Sequence, residues 1–124
     1  MKASELRIGN WVETEGGFYQ IDSILNKDRI LVKIEDEYVG YDIDQIKPIP
    51  LTEEWLVKLG FDKRTNINDC NAYTSKIRAD IDIIEYSYGF SADLEVEHLS
   101  VLKYVHQLQN LIHALTGEEL TIKE

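Results

Sequence analysis

The sequence predicts an α+β protein of two parts, a small β-barrel over residues 1–50 and a helix–antiparallel sheet–helix unit over residues 51–124. Three observations carry that expectation. Short β-like runs recur about every ten residues in the first half, with tight-turn residues between them. Two prolines, Pro48 and Pro50, interrupt the chain at its midpoint. The longest periodic segment, SVLKYVHQLQNLIHALT at residues 100–116, has helical spacing.

In chain order, residues 6–12 open the barrel, and Glu15-Gly16-Gly17 supplies a hairpin turn. Residues 18–25 (FYQIDSIL) form a second strand, and Asn26-Lys27-Asp28 a second turn. RILVKI at residues 29–34 is a strong strand, followed by the acidic turn Glu35-Asp36-Glu37 and a short strand at 38–41. This order of strands is similar in outline to the SH3-like barrels. That likeness is one of topology, and such barrels host many functions.

Pro48 and Pro50 lack amide hydrogens and hold their neighbours extended, so residues 47–51 form a stiff connector. A short helix, TEEWLVKLG, follows. Thr52 caps it, Glu53 and Glu54 lie at the positive end of its dipole, and Gly60 ends it. Trp55, Leu56 and Leu59 make its apolar face, with Trp55 a core anchor. Residues 62–71 (DKRTNINDCN) are polar and read as an exposed loop. Strands are expected at 72–77 and 79–88, a turn at Gly89-Phe90-Ser91, and a strictly alternating strand at 92–97.

The helix at 100–116 then covers that sheet. Val101, Tyr104, Val105, Leu108, Leu111, Ile112 and Leu115 fall on one buried face, with Lys103, Gln107, Asn110 and Ala114 opposite. Ser100 caps the first turn, and Gly117 takes the left-handed conformation at the end. Residues 118–122 add a short edge strand. The two parts forming one compact domain is the alternative organisation.

Composition bounds the function. An apolar fraction of 44% with 29% charged residues is that of a soluble globular protein. No apolar run reaches the roughly 20 residues that cross a membrane, and MKASELRIGN lacks the apolar core of a secretory signal, so the expected location is the cytoplasm. The single cysteine, Cys70, forms no internal disulfide. Net charge is −10, with 10 acids against 6 bases in residues 1–50 and 13 against 7 in residues 51–124. Nucleic-acid backbones are bound by Lys and Arg neutralising phosphates, so this balance disfavours nucleic acid and anionic membranes as partners.

Candidate chemistry is sparse. His98, His106 and His113 do not make a metal site. The last two are seven residues apart, which on a helix is a rise of about 10.5 Å. They are expected at the boundary between buried face and solvent. Cys70 follows Asn68 and Asp69, and a neighbouring acid raises a thiol pKa, so it reads as an inert loop or packing cysteine. The acids Asp80, Asp82, Glu85, Asp93, Glu95 and Glu97 are the group of most interest. In a hairpin of 79–88 with 92–97, several carboxylates line one face. Asp80, Asp82, Asp93, Glu95 and Glu97 are thus a candidate surface for a protein partner, with a divalent cation and a solvated sheet face as the alternatives.

Three stretches carry a resemblance: ELRIGNWV (residues 5–12), IKPIPLTEEWLVKLGF (46–61) and LKYVHQLQNLIHALTGEELTI (102–122). In combination they resemble an uncharacterised family of small proteins from gut bacteria and their phages and prophages. This chain carries Ile112-His113 where the resembled sequences have a more aromatic pair. The resemblance implies a small cytosolic protein of mobile-element origin, with no catalytic residues, metal or cofactor to carry over. The functional expectation is a non-catalytic, protein-binding accessory factor. A nucleic-acid-associated module acting through the N-terminal barrel is the alternative, with an enzyme a distant third.

Overall fold

The computed structural model describes residues 2–65, 71–75, 81–94, 97–120 and 122, with the backbone alone at 3, 64–65, 94 and 97–100. The chain divides into two units. One comprises Met1–Pro50 with Tyr104–Asn110, the other Leu51–Lys103 with Leu111–Glu124. The first unit thus takes seven residues from far down the chain.

The first unit is built on a four-stranded antiparallel meander in the order β1 (Trp11–Thr14), β2 (Gly17–Asn26), β3 (Arg29–Ile34), β4 (Glu37–Asp42). Its turns fall where the turn residues predict. Gly17, opposite Thr14 at the first hairpin, has φ +130°, which a side chain would strain. Asn26 Oδ1 accepts from the amides of Asp28 (2.8 Å) and Arg29 (3.1 Å), the local bonding that makes asparagine a turn residue. Alternate residues point inward, so Leu6, Val12, Ile21, Ile30, Val32, Tyr41 and Ile46 form one buried cluster.

The sheet does not close into the expected barrel. β1 and β4 are not paired; the four-residue β1 instead meets the connector, where Glu13 and Lys47 exchange two main-chain hydrogen bonds of 2.9 Å. The first strand is also shorter than expected. Residues 6–10 are not strand, because Gly9 has φ +98° and Asn10 N–H donates to Arg7 O, which turns the chain before β1.

The second unit opens with α1 (Glu53–Lys58). Thr52 Oγ1 accepts from Trp55 N at 3.3 Å, and Gly60 has φ +91°, so both expected end signals operate. Trp55, Leu56 and Leu59 are buried. Five antiparallel strands follow as a meander: β5 (Phe61–Thr65), β6 (Asn71–Ser75), β7 (Ile81–Tyr86), β8 (Gly89–Leu94) and β9 (Glu97–Leu102). Phe61, Tyr73, Ser75, Ile81, Ile83, Phe90, Ala92 and Leu102 are buried, and their registers put them on one face of the sheet.

Four expectations change here. Residues 62–65 are strand, not loop; β5 lies at the sheet edge, where charged residues are tolerated and discourage further pairing. The turn after β7 lies at Ser87-Tyr88, because Gly89 already pairs with Tyr86 and takes φ +128°. Residues 100–102 are strand rather than helix: Leu102 is buried and Val101 exposed, the two-residue alternation of β9. No strand forms at Glu118–Leu120, whose backbone is irregular.

The last helix, α2, therefore runs over Val105–Thr116. Its residues up to Asn110 belong to the first unit and those from Leu111 to the second. Val105, Leu108 and Ile112 are fully buried, and Gly117, at φ +76°, donates to His113 O and ends the helix as expected. No helix among the described residues is long and apolar enough to cross a membrane.

Candidate functional site

Of the acidic positions, Asp82 and Asp93 are brought directly opposite each other, as register partners on β7 and β8. They continue a row that crosses all five strands at Asp62, Thr74, Asp82, Asp93 and His98. Like charges facing each other across strands repel. Hydroxyl donors counter this: Thr74 Oγ1 donates to Asp82 Oδ1 (3.1 Å), Ser91 Oγ to Asp93 Oδ1 (3.0 Å), and Tyr86 OH to Asp93 Oδ2 (3.5 Å). Both carboxylates are half-buried. Glu85 does not join them; alternation along β7 sends it to the other face, where Asn71 Nδ2 donates to it at 3.0 Å. Asp80, Glu95 and Cys70 lie outside the described residues, and Glu97 is placed on β9 by its backbone alone. Among the described residues no three His, Cys, Asp or Glu side chains are grouped to hold a metal ion. Beside the row, Tyr86 and Tyr88 stack with ring centres 5.2 Å apart, and Tyr88 is 62% exposed.

In the same unit Tyr73, wholly buried, donates its hydroxyl to Glu53 Oε1 (3.1 Å), and Lys63 forms an ion pair with the same carboxylate. Burial, then the hydrogen bond to Glu53, pushes the Tyr73 phenol well above its ordinary range. The Lys63 and Tyr73 hydrogen bonds hold the Glu53 carboxyl below its ordinary value. This group ties the start of α1 to β5 and β6.

The first unit carries a surface that the sequence does not announce. A shallow groove of about 330 Å³ is lined by Ile8, Trp11, Phe18, Tyr19, Gln20 and Lys33, among others. Ile8 is 58% and Phe18 45% exposed, unusual for side chains of their size. Trp11 stands opposite Gln20, and Phe18 opposite Glu13, so these four share the outer face of β1 and β2. At the far side Lys33 Nζ sits 5.8 Å from the ring centre of Tyr38, itself largely exposed.

One wall of this groove is the segment 7–11, held by a dense set of polar contacts. Arg7 N donates to Asn10 Oδ1 (2.7 Å), Gly9 N to Ile21 O (2.8 Å), and Gln20 Nε2 to Gly9 O (3.1 Å). The first turns of α2 complete the set. Gln109 Oε1 accepts from Trp11 N (2.9 Å) while its Nε2 donates to Gly9 O (3.0 Å). Asn110 Oδ1 accepts from Asn10 Nδ2 (2.8 Å) and Arg7 Nε (3.2 Å), and its Nδ2 donates to Glu5 O (2.9 Å). Asn10 and Gln109 are fully buried, so these bonds meet the requirement that buried amides be paired. Asn110 is thus not on a solvent side of the helix, as its position opposite the apolar stripe suggests. Three amide-bearing residues close together on the helix, Gln107, Gln109 and Asn110, are the signal that could have shown it. Asparagine in a helix interior is unfavourable unless its side chain finds a partner.

His106 departs from expectation as well. It is 2% exposed rather than at the solvent boundary, and its ring stacks on Tyr104 with centres 5.9 Å apart. Burial lowers its pKa below 6.5, against a smaller opposing pull from the Glu5 carboxylate. His113 is half-buried, and the His98 side chain is outside the described set.

The groove offers ring faces, an aliphatic side chain, an amide and an ammonium on a pre-formed wall, which is the chemistry of non-covalent recognition. Compared with known protein families, with curated proteins and with solved structures, the chain matches none of them.

Proposed function

We propose that this protein is a non-catalytic, protein-binding accessory factor that engages its partner through the aromatic groove of the first unit. The observation that carries this reading is the exposure of Ile8 and Phe18 on a groove wall that buried amides hold in place. Exposed aromatic and aliphatic groups on a rigid frame are the composition of a protein interface, and pre-ordering lowers the entropic cost of binding. The acidic balance of the chain supports a protein over a nucleic-acid backbone. The resemblance of its motifs to proteins of gut bacteria and their prophages supports reading it as a phage-related factor of the cytoplasm, with an SH3-like order of strands. Asp80, Asp82, Asp93, Glu95 and Glu97 form a second proposed contact, supported by the facing pair Asp82 and Asp93 beside the exposed Tyr88.

The test is affinity capture from host cytosol, with and without nuclease, comparing the wild type with Phe18→Ser and with Asp82→Asn/Asp93→Asn. The groove reading expects a nuclease-resistant partner that the Phe18→Ser protein loses while staying folded. A partner retained by Phe18→Ser and lost by the double amide moves the site to the acidic row. Capture that nuclease abolishes would support the nucleic-acid alternative instead.

A further inference from the structure

The outer edge of β4 is open. Ile34 and Glu37 close the β3–β4 hairpin around a two-residue turn, Glu35-Asp36, so they form a hydrogen-bonded pair. Alternation along β4 then turns the main chain of Glu37, Val39 and Tyr41 toward β3 and that of Tyr38, Gly40 and Asp42 outward. The Asp42 amide follows this rule, donating away from β3 to Gln45 Oε1 at 2.8 Å, and that bond ends the open stretch. The amides and carbonyls of Tyr38 and Gly40 remain, with no partner among the described residues. At the opposite edge of the sheet, β1 is engaged by the main-chain bonds of Glu13 with Lys47.

Side chains along this edge are uncharged at its centre and acidic around it. Tyr38 is largely exposed, Val39 is half-buried, and Gly40 is bare. A Cβ on Gly40 would come 2.7 Å from Arg29 Nη2, so the guanidinium lies over this glycine, and Asp42 meets its charge at 3.5 Å. Lys33, the register partner of Tyr38, lies over that ring. Residues 35–44 hold five acids, Glu35, Asp36, Glu37, Asp42 and Asp44, and no base. Apart from Asp42, none of the five forms an ion pair among the described residues.

We propose that this edge takes an added strand: an extended segment of a partner protein, uncharged at its centre and carrying lysine or arginine at both ends. Exposed strand edges accept such segments through main-chain bonds, and side chains set the choice. Here the main-chain groups of Tyr38 and Gly40 supply the bonds, and the Tyr38 ring offers apolar area to a neighbouring side chain. The acids select the ends. Glu37 and Asp42 stand five positions apart, about 17 Å along a strand, so bases at both ends of a short segment reach acids at both ends of β4. A second copy of this chain fits worse. Antiparallel pairing centred on Val39 would set Asp42 of one copy against Asp36 of the other, between chains of net charge −10. None of the residues named for the groove lies on β4, so the inference stands apart from the groove reading.

The test is amide exchange followed by NMR on the full chain, titrated with a capped nonapeptide that has two lysines at each end and alternating threonine and valine between. The expected result is a saturable slowing at Tyr38 and Gly40, by roughly tenfold or more, while Val39 and Tyr41, already bonded to β3, change little. Binding should weaken between about 20 and about 300 mM salt. A peptide with glutamate for lysine should give no slowing, nor should one with proline for valine, which lacks the amide donors. Tyr38→Pro removes an outward amide and no bond to β3, so it should stay folded and lose the peptide. Glu35→Asn/Asp36→Asn/Glu37→Gln should weaken binding severalfold, asparagine being suited to the φ of +56° at Glu35. Should Tyr38→Pro not fold, the wild-type titration and the amide variant still decide. Exchange at Tyr38 and Gly40 that the lysine peptide leaves unchanged, or slows no more than the glutamate peptide, would overturn the inference. Slowing that appears with protein concentration alone would give the edge to a second copy and overturn it as well. Phe18→Ser, in the groove, should leave the peptide response intact, and its loss there would refute the assignment to β4.

Discussion

Gln109→Leu is the substitution that most directly measures what α2 does for the first unit. Leucine has nearly the volume of glutamine and at least its helix propensity, so neither packing nor the helix is the main casualty. What is lost is one acceptor and one donor in a fully buried place. Trp11 N–H, now bonded to Gln109 Oε1 at 2.9 Å, is left without that acceptor. An orphaned buried donor costs about 1–3 kcal/mol. Gly9 O loses the Gln109 Nε2 bond but keeps that from Gln20, so its loss is smaller, about 0.5–1.5 kcal/mol. Together they come to about 2–4 kcal/mol. With a urea dependence of roughly 1–3 kcal/mol per molar, the midpoint of the first unit falls by about 1–2 M. The two tryptophans, Trp11 and Trp55, lie one in each unit, so fluorine-labelled tryptophan gives a separate signal from each during urea unfolding. Exchange of the Trp11 amide should accelerate roughly 30- to 1000-fold, at tenfold per 1.4 kcal/mol. Gln109→Glu should be worse than leucine, because it sets a carboxylate against Gly9 O and buries a charge. A Trp11 signal whose midpoint moves by less than about 0.2 M, with amide exchange unchanged, would refute the reasoning.

Other outcomes follow from the same structure. Leu108→Ala, at a fully buried position, should destabilise by about 2–5 kcal/mol in urea melts, the range for cavity-forming core changes. Alkaline difference spectra should show one tyrosine, absent from Tyr73→Phe, ionising well above the ordinary tyrosine range, since burial and Glu53 both oppose the phenolate. Glu53, held below its ordinary value of 4.5, lends stability that is complete above that value and is lost as pH falls through its folded pKa. Acid unfolding of Glu53→Gln should lack that component, and a carbon NMR titration of Glu53 at or above 4.5 would contradict it. In a mobility assay at about 150 mM salt, double-stranded DNA should not be bound at submicromolar protein, given the net charge of −10.

The local features were legible in the sequence wherever a residue type has one strong preference. The glycine hairpin before β2, the Asn26 turn, the Thr52 cap and the Gly117 stop all stand where their chemistry puts them. The boundary between β9 and α2 was not legible. Val101, Leu102 and Val105 satisfy both a strand and a helix period, and only Val101 facing solvent while Leu102 is buried decides between them. The polar strand β5 has no apolar alternation to read, because an edge strand does not need it. Asp82 and Asp93 could be placed together from the expected hairpin, although the shifted turn changes how they pair. The groove wall was invisible because its bonds join residues about 100 positions apart, and a helical wheel assigns Asn110 to solvent when its partner is unknown.

The first unit draws on residues 104–110, so it cannot be completed in the order in which it is made. On a ribosome adding roughly 5–20 residues per second, the β1–β4 meander is exposed for several seconds before Asn110 is even synthesised. Through that interval Asn10, Gly9 O and Trp11 N have water where they will later have Gln109 and Asn110. The meander is a local, quickly formed structure, and the segment 5–11 is its slow remainder, closed by contacts of long sequence separation. A nascent chain stalled near residue 100 should therefore present a protease-resistant β2–β4 meander with residues 5–11 still cleavable, and that segment should become resistant once α2 has emerged.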